Sequence, residues 1–160
     1  MGIYFVTLCA FRKAKLFGDV SMGIMRHSAL GEIAELEWQR IAEVRHNVGL
    51  DQFVVMPNHL HSLVMIDRSE GGYSGKRSSV STGKAVPRLQ AGSLGAVIGQ
   101  YKLAVLRRAK SWPSPARGKI IIWQRGYYDH IVRDERSLNE IRQYILENPA
   151  KWTDDSLYWE

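Results

Sequence analysis

Phe53-Val54-Val55-Met56-Pro57-Asn58-His59-Leu60-His61-Ser62-Leu63-Val64-Met65-Ile66 decides how this chain folds. Two apolar runs, Phe53–Met56 and His59–Ile66, flank a Pro-Asn pair that supplies turn geometry, which predicts an antiparallel hairpin. Side chains in a strand alternate with period two, so His59 and His61 point to one face while Leu60, Ser62, Val64 and Ile66 point to the other. Two imidazoles so placed can share one divalent ion. The same spacing also fits two ordinary hydrogen-bonded histidines in an apolar strand, and spacing alone does not choose between them.

Upstream of the hairpin, Leu30, Ile33, Ala34, Trp38, Ile41 and Val44 fall on one helical face opposite Glu32, Glu35, Arg40 and Glu43. That pattern predicts an amphipathic helix over 30–44. Ile3 to Phe11, rich in β-branched and aromatic residues, reads as the first strand. Downstream, Asp67 to Gln90 loses hydrophobic periodicity and fills with Gly, Ser and Lys, as a flexible surface loop at about 67–91 would. Helical spacing resumes over Ser93–Ala109. Lys119–Trp123 and Tyr127–Val132 read as strands around a Gln124-Arg125-Gly126 turn. A last helix begins near Asp134 or Ser137, where Ser137-Leu138-Asn139-Glu140 matches a capping box, and stops at Asn148 ahead of Pro149. Hairpin-linked strands with separate helices predict an α+β fold, an antiparallel β-sheet with helices packed mainly on one face, as in ferredoxin-like or RRM-like sandwiches. A chain of 160 residues suits a single domain over 1–160. The order of strands in the sheet is not readable from the sequence.

The net charge of +6 is unevenly spread. Tyr101 to Arg136 holds nine Lys or Arg residues against three acids, and the rest of the chain is balanced. Tyr101, Trp112, Trp123, Tyr127 and Tyr128 are interleaved with that charge, a mixture suited to phosphates and stacked bases, although a solvated basic face has the same composition. No run is long and apolar enough to span a membrane, and the opening segment alternates instead of forming a signal peptide. Cys9, the single cysteine, reads as a small core hydrophobe, consistent with a reducing cytoplasm.

In the last predicted helix, Leu138, Ile141 and Ile145 mark the buried stripe. Tyr144 and Asn148, four residues apart, project together at its edge. A phenol and an amide on one side of a helix can reach toward an ion held by the histidines. Each residue also has a plain structural reading: a tyrosine packing its ring, and an asparagine ending a helix.

The combination resembles a known family. Met56-Pro57-Asn58-His59-Leu60-His61 is similar to the histidine signature of HUH-type single-tyrosine transposases. Tyr4–Thr7, Leu16–Gly18, Ser93–Gly95, Tyr101-Lys102, Trp123–Arg133 and Ile141–Pro149 resemble the REP-associated tyrosine transposase branch, relatives of insertion-sequence transposases that act on bacterial palindromic repeats. The resemblance implies that His59 and His61 bind a metal, that Tyr144 is the nucleophile, and that Asn148 is a third, amide ligand. Mg²⁺ or Mn²⁺ suits imidazole and amide oxygen donors. Single-stranded or hairpin DNA is the implied substrate, cut by transesterification through a 5′-phosphotyrosine. The residues expected to meet DNA are Tyr101, Lys102, Arg107, Arg108, Trp123, Arg125, Tyr127 and Arg133. Family members act as monomer or homodimer, here in the cytoplasm on the nucleoid. His130 lies in the matched strand run and has no assigned role.

The resemblance departs at the start, where the basic segment usual before the first strand is lacking; the chain is trimmed there, or some DNA contacts are lost. Two rival readings stand beside it. One is a domesticated DNA-binding or regulatory protein that no longer cleaves; the other, a metal-dependent small-molecule hydrolase, makes no use of the basic, aromatic segment.

Overall fold

The computed structural model describes residues 1–67, 92–111 and 121–158. A four-stranded sheet is built from β1 (Gly2–Cys9), β4 (Val48–Met56), β5 (His59–Ile66) and β6 (Tyr128–Val132), with β2 (Gly18–Ser21) and β3 (Ile24–His27) forming a separate hairpin. The sheet order is β4-β5-β1-β6, and each neighbouring pair is antiparallel. Three α-helices, α1 (Ala29–Val44), α2 (Leu94–Lys110) and α3 (Glu135–Glu147), and two short 3-10 helices, Phe11–Lys13 and Trp152–Asp154, complete the described elements.

The fold is the expected α+β arrangement. Helices α1 and α2 cover one face, where Tyr4, Val6, Leu8, Leu60, Val64 and Ile66 meet Ile33, Trp38, Val97, Ile98 and Tyr101. Trp38, fully buried, donates its indole N–H to Ser62 Oγ at 3.0 Å. Helix α3 lies over the other face, where Ile145 packs with Leu63 and Val132 against Phe5 and Val54. That second face carries the two histidines.

The start of α1 depends on a close approach. Ser28 caps it by accepting from Gly31 N, and its hydroxyl donates to Leu16 O at 2.7 Å. A Cβ on Gly31 would sit 1.9 Å from the carbonyl oxygen of Phe17, so only glycine lets helix and preceding chain meet.

Several expectations are corrected. Strand β4 begins five residues before Phe53, because a bulge between Leu50 and Phe53 interrupts the alternation that marks a strand in sequence. The β2–β3 hairpin was not expected: its strands are only four residues long and half polar, and its turn uses positive φ at Met22 and Gly23. Lys119–Trp123 is not a described strand; Trp123 forms an isolated bridge with Ala10, and residues 119–120 lie outside the described set. The loop expected at about 67–91 lies outside it from residue 68 onward. Of the two expected starts of helix α3, the structure takes Asp134, which accepts from Ser137 N at 2.8 Å, so the Ser137–Glu140 pattern is not its start. Its end at Asn148 is as expected.

Candidate active site

The Pro57-Asn58 turn and the first residues of β5 set the site. Both histidines are buried, and their rings lie edge to face with centroids 4.3 Å apart. Asn58 fixes the tautomer of His59. Its Nδ2 donates to Leu157 O at 2.8 Å, so its Oδ1 faces His59 Nδ1 at 2.7 Å as an acceptor. Nδ1 therefore carries the proton, and Nε2 presents a bare lone pair. Among the described residues, that buried Nε2 has no hydrogen-bond partner. Burial, with the charge of His61, pushes the His59 pKa down to about 3, so the ring stays neutral at working pH.

His61 is held from both ends. Its Nδ1 meets Thr7 Oγ1 at 2.8 Å, and its Nε2 lies 3.1 Å from the Tyr144 hydroxyl. Phe5 stacks on the His61 ring with centroids 5.3 Å apart and meets the Tyr144 ring edge-on at 6.1 Å. Helix α3 thus brings Tyr144 to the histidine pair, and Asn148 one turn later.

Sequence reasoning missed Asp155, which closes the site. Its Oδ2 accepts from the Tyr144 hydroxyl at 3.0 Å and from Asn148 Nδ2 at 2.7 Å, and lies 3.7 Å from His61 Nε2. Burial favours a neutral carboxyl there, but the His61 and Asn148 side chains and the Leu157 N–H outweigh it and hold Asp155 well below the usual carboxylate range. Burial, reinforced by the Asp155 charge, pushes the Tyr144 phenol up to about 12. Asp155 follows Pro149, outside any periodic element, so its only sequence signal was an acidic pair at 154–155.

These side chains fit a cation. Asn148 Oδ1, like His59 Nε2, is buried with no hydrogen-bond partner among the described residues. Ligand atoms of His59, His61 and Asp155 all lie within 4.8 Å of one another. Two unpartnered acceptors beside a buried carboxylate are costly unless something positive meets them. A cavity of about 390 Å³ reaches Tyr144, Asn148 and Asp155, with Glu140, Glu147 and Asp154 also in its walls.

The residues expected to meet DNA are dispersed. Tyr101 is 2 % exposed and donates its hydroxyl to Ala34 O at 3.0 Å, so it belongs to the core and presents no ring to a base. Lys102 donates to the carbonyls of Gln124 and Gly126, at 2.9 and 2.5 Å, and pins that turn. Arg108 pairs with Glu37 at 2.8 Å. Trp123 packs between Phe17 and Tyr101, and Tyr127 packs against the core. Arg107, Arg125 and Arg133 are exposed. His130 is exposed and pairs in register with Phe5, on the histidine face. Cys9 is buried, as expected.

Among solved structures, a REP-associated tyrosine transposase bound to a REP hairpin superposes with a TM-score of 0.62 at 14% identity, over 94% of this chain and 68% of that one. A protein described as a transposase from Deinococcus radiodurans gives a TM-score of 0.46 at 18% identity, over 92% of this chain and 89% of that one. The fold resembles that of the REP-associated tyrosine transposase. No protein-family model matches the chain. It belongs to the same family as an uncharacterised protein of Haemophilus influenzae, 32% identical over 157 residues that make up 98% of this chain and 85% of that protein.

Proposed function

We propose that residues 1–160 form one catalytic domain, a divalent-metal-dependent endonuclease and strand transferase for single-stranded or hairpin DNA with Tyr144 as nucleophile. The observation that carries this reading is the Tyr144 hydroxyl, 3.1 Å from His61 Nε2, beside the bare Nε2 of His59 and Oδ1 of Asn148. A nucleophilic oxygen next to an electron-rich pocket suits attack on phosphorus. His59, His61 and Asn148 would hold Mg²⁺ or Mn²⁺, with Asp155 adjoining. Such an ion supplies Lewis-acid polarisation of a non-bridging phosphate oxygen.

The chain's own residues account for the rest. Phe5, His61 and Asp155 orient the phenol. As Tyr144 Oη bonds to phosphorus, its proton passes to Asp155 Oδ2, the acceptor 3.0 Å away. The bond to the 3′-oxygen breaks, and that oxygen takes a proton from solvent, leaving a 5′-phosphotyrosine and a free 3′-hydroxyl. The phosphotyrosine conserves the bond energy for rejoining, so no nucleotide cofactor is required. Exposed Arg107 and Arg133 would hold phosphates. No described helix is long and apolar enough to cross a membrane. Action in the cytoplasm on the nucleoid, as monomer or homodimer, belongs to the same proposal.

The test is incubation with hairpin oligonucleotides bearing single-stranded flanks and Mn²⁺ or Mg²⁺, followed by denaturing electrophoresis. A covalent protein–DNA adduct is expected, and it disappears with Tyr144→Phe and with chelator. Salt-sensitive binding without any adduct would replace this reading with that of a non-cleaving, regulatory DNA-binding protein.

A further inference from the structure

The histidine-bearing face carries a second cleft of about 180 Å³, lined by Cys9, Gln124, Arg125, Gly126, Tyr127 and Tyr128. Its position follows from register. Alternation puts Phe5, Thr7 and Cys9 on one face of β1, and Thr7 and Phe5 both touch His61, so that face is the one bearing the site. Cys9 lies opposite His59, and Tyr128 lies opposite Thr7 on the other flank. A row of Tyr128, Thr7 and His61 therefore crosses the sheet, and the cleft opens beside it, about 10 Å from the histidine strand.

Three features make the cleft suited to a nucleobase. The ring of Tyr128 is 65 % exposed and, among the described residues, stacks on no other ring. The turn that forms the wall is fixed: Lys102 holds two of its carbonyls, Gln124 N donates to Cys9 O at 2.9 Å, and Gly126 takes φ +78. On that fixed turn, Gln124 and Arg125 are exposed, an amide and a guanidinium whose donors and acceptors match base edges.

We infer that this cleft receives one unstacked base of single-stranded DNA, next to the phosphate attacked by Tyr144. Tyr128 is its stacking platform, and Gln124 and Arg125 read its edge. The inference rests on the DNA-processing reading above and names the specificity-determining part of that site.

The test measures equilibrium binding of a DNA hairpin with single-stranded flanks, compared with the same hairpin carrying one abasic site moved along the flanks. One abasic position is expected to weaken wild-type binding roughly tenfold, the size of a lost base–aromatic stack. Tyr128→Ala abolishes that difference, and Tyr128→Phe keeps it. Gln124→Ala and Arg125→Ala flatten the preference among the four bases at the same position. Equal binding of every abasic probe, or a penalty that survives in Tyr128→Ala, overturns the assignment. None of these readouts needs cleavage, so a missing adduct would count against the catalytic reading alone.

Discussion

His59 shows how a single hydrogen bond prepares a ligand. Asn58 Oδ1 can only accept, so it places the proton on Nδ1 and leaves Nε2 free in a buried space. Burial keeps the ring neutral, the form a metal requires. Titration with Mn²⁺, followed by the loss of its free-ion paramagnetic resonance signal, should find one site. His59→Ala and Asn148→Ala should each weaken it at least tenfold, and Asn58→Ala, which only releases the imidazole, by roughly 10–100-fold. Unchanged affinity in His59→Ala would remove the histidine pair from any metal role. At this scale the sequence was informative for His59, His61 and Tyr144, whose spacing is local. It was silent on Asp155 and on Thr7, whose relevance arises only where separate segments converge.

Helix α3 must be held in place for Tyr144 to face the histidines. Part of that hold is polar: Arg142 Nε lies 3.0 Å from Asp51 Oδ2, on the bulge of β4. The Arg142 hydrogen bonds hold the Asp51 carboxyl below its usual range. A carboxylate with a lowered folded pKa stabilises the protein above its unfolded pKa of about 3.9 and loses that contribution as pH falls through the folded value. Asp51→Asn should therefore lower the Tm at pH 7, with the gap to wild type closing in acid. A gap independent of pH would show that the ion pair does not anchor the helix. The hydrophobic period of α3 was legible before the structure, but this tether was not, since Asp51 sits where the strand pattern breaks. At the head of α1, Gly31→Ala forces backbone against the Phe17 carbonyl and should cost about 1–3 kcal/mol in denaturant unfolding.

Across the whole molecule, Glu140, Glu147, Asp154 and Asp155, with Lys151, line the cavity at Tyr144, while Arg125 and Arg133 adjoin β6. DNA affinity should fall steeply with salt, and Arg107→Ala and Arg133→Ala should each reduce the slope of log K against log salt by about one. Slopes unchanged in both variants would place the phosphate path elsewhere. Lys102→Ala should act differently, through loosening of the Gln124–Gly126 turn. The linear count of basic residues treated Lys102 and Arg108 as free charges, yet each is engaged inside the fold.

The sequence alone determined what period and punctuation can encode. It set the β5 strand with both histidines on one face, the amphipathic helices, and the helix that carries Tyr144 and Asn148 and ends before Pro149. These depend on neighbours a few residues away. Tertiary structure decided the sheet order, the β2–β3 hairpin, the closure by Asp155, and the burial of Tyr101. Those depend on which surfaces meet after collapse, and no local pattern of residues records that.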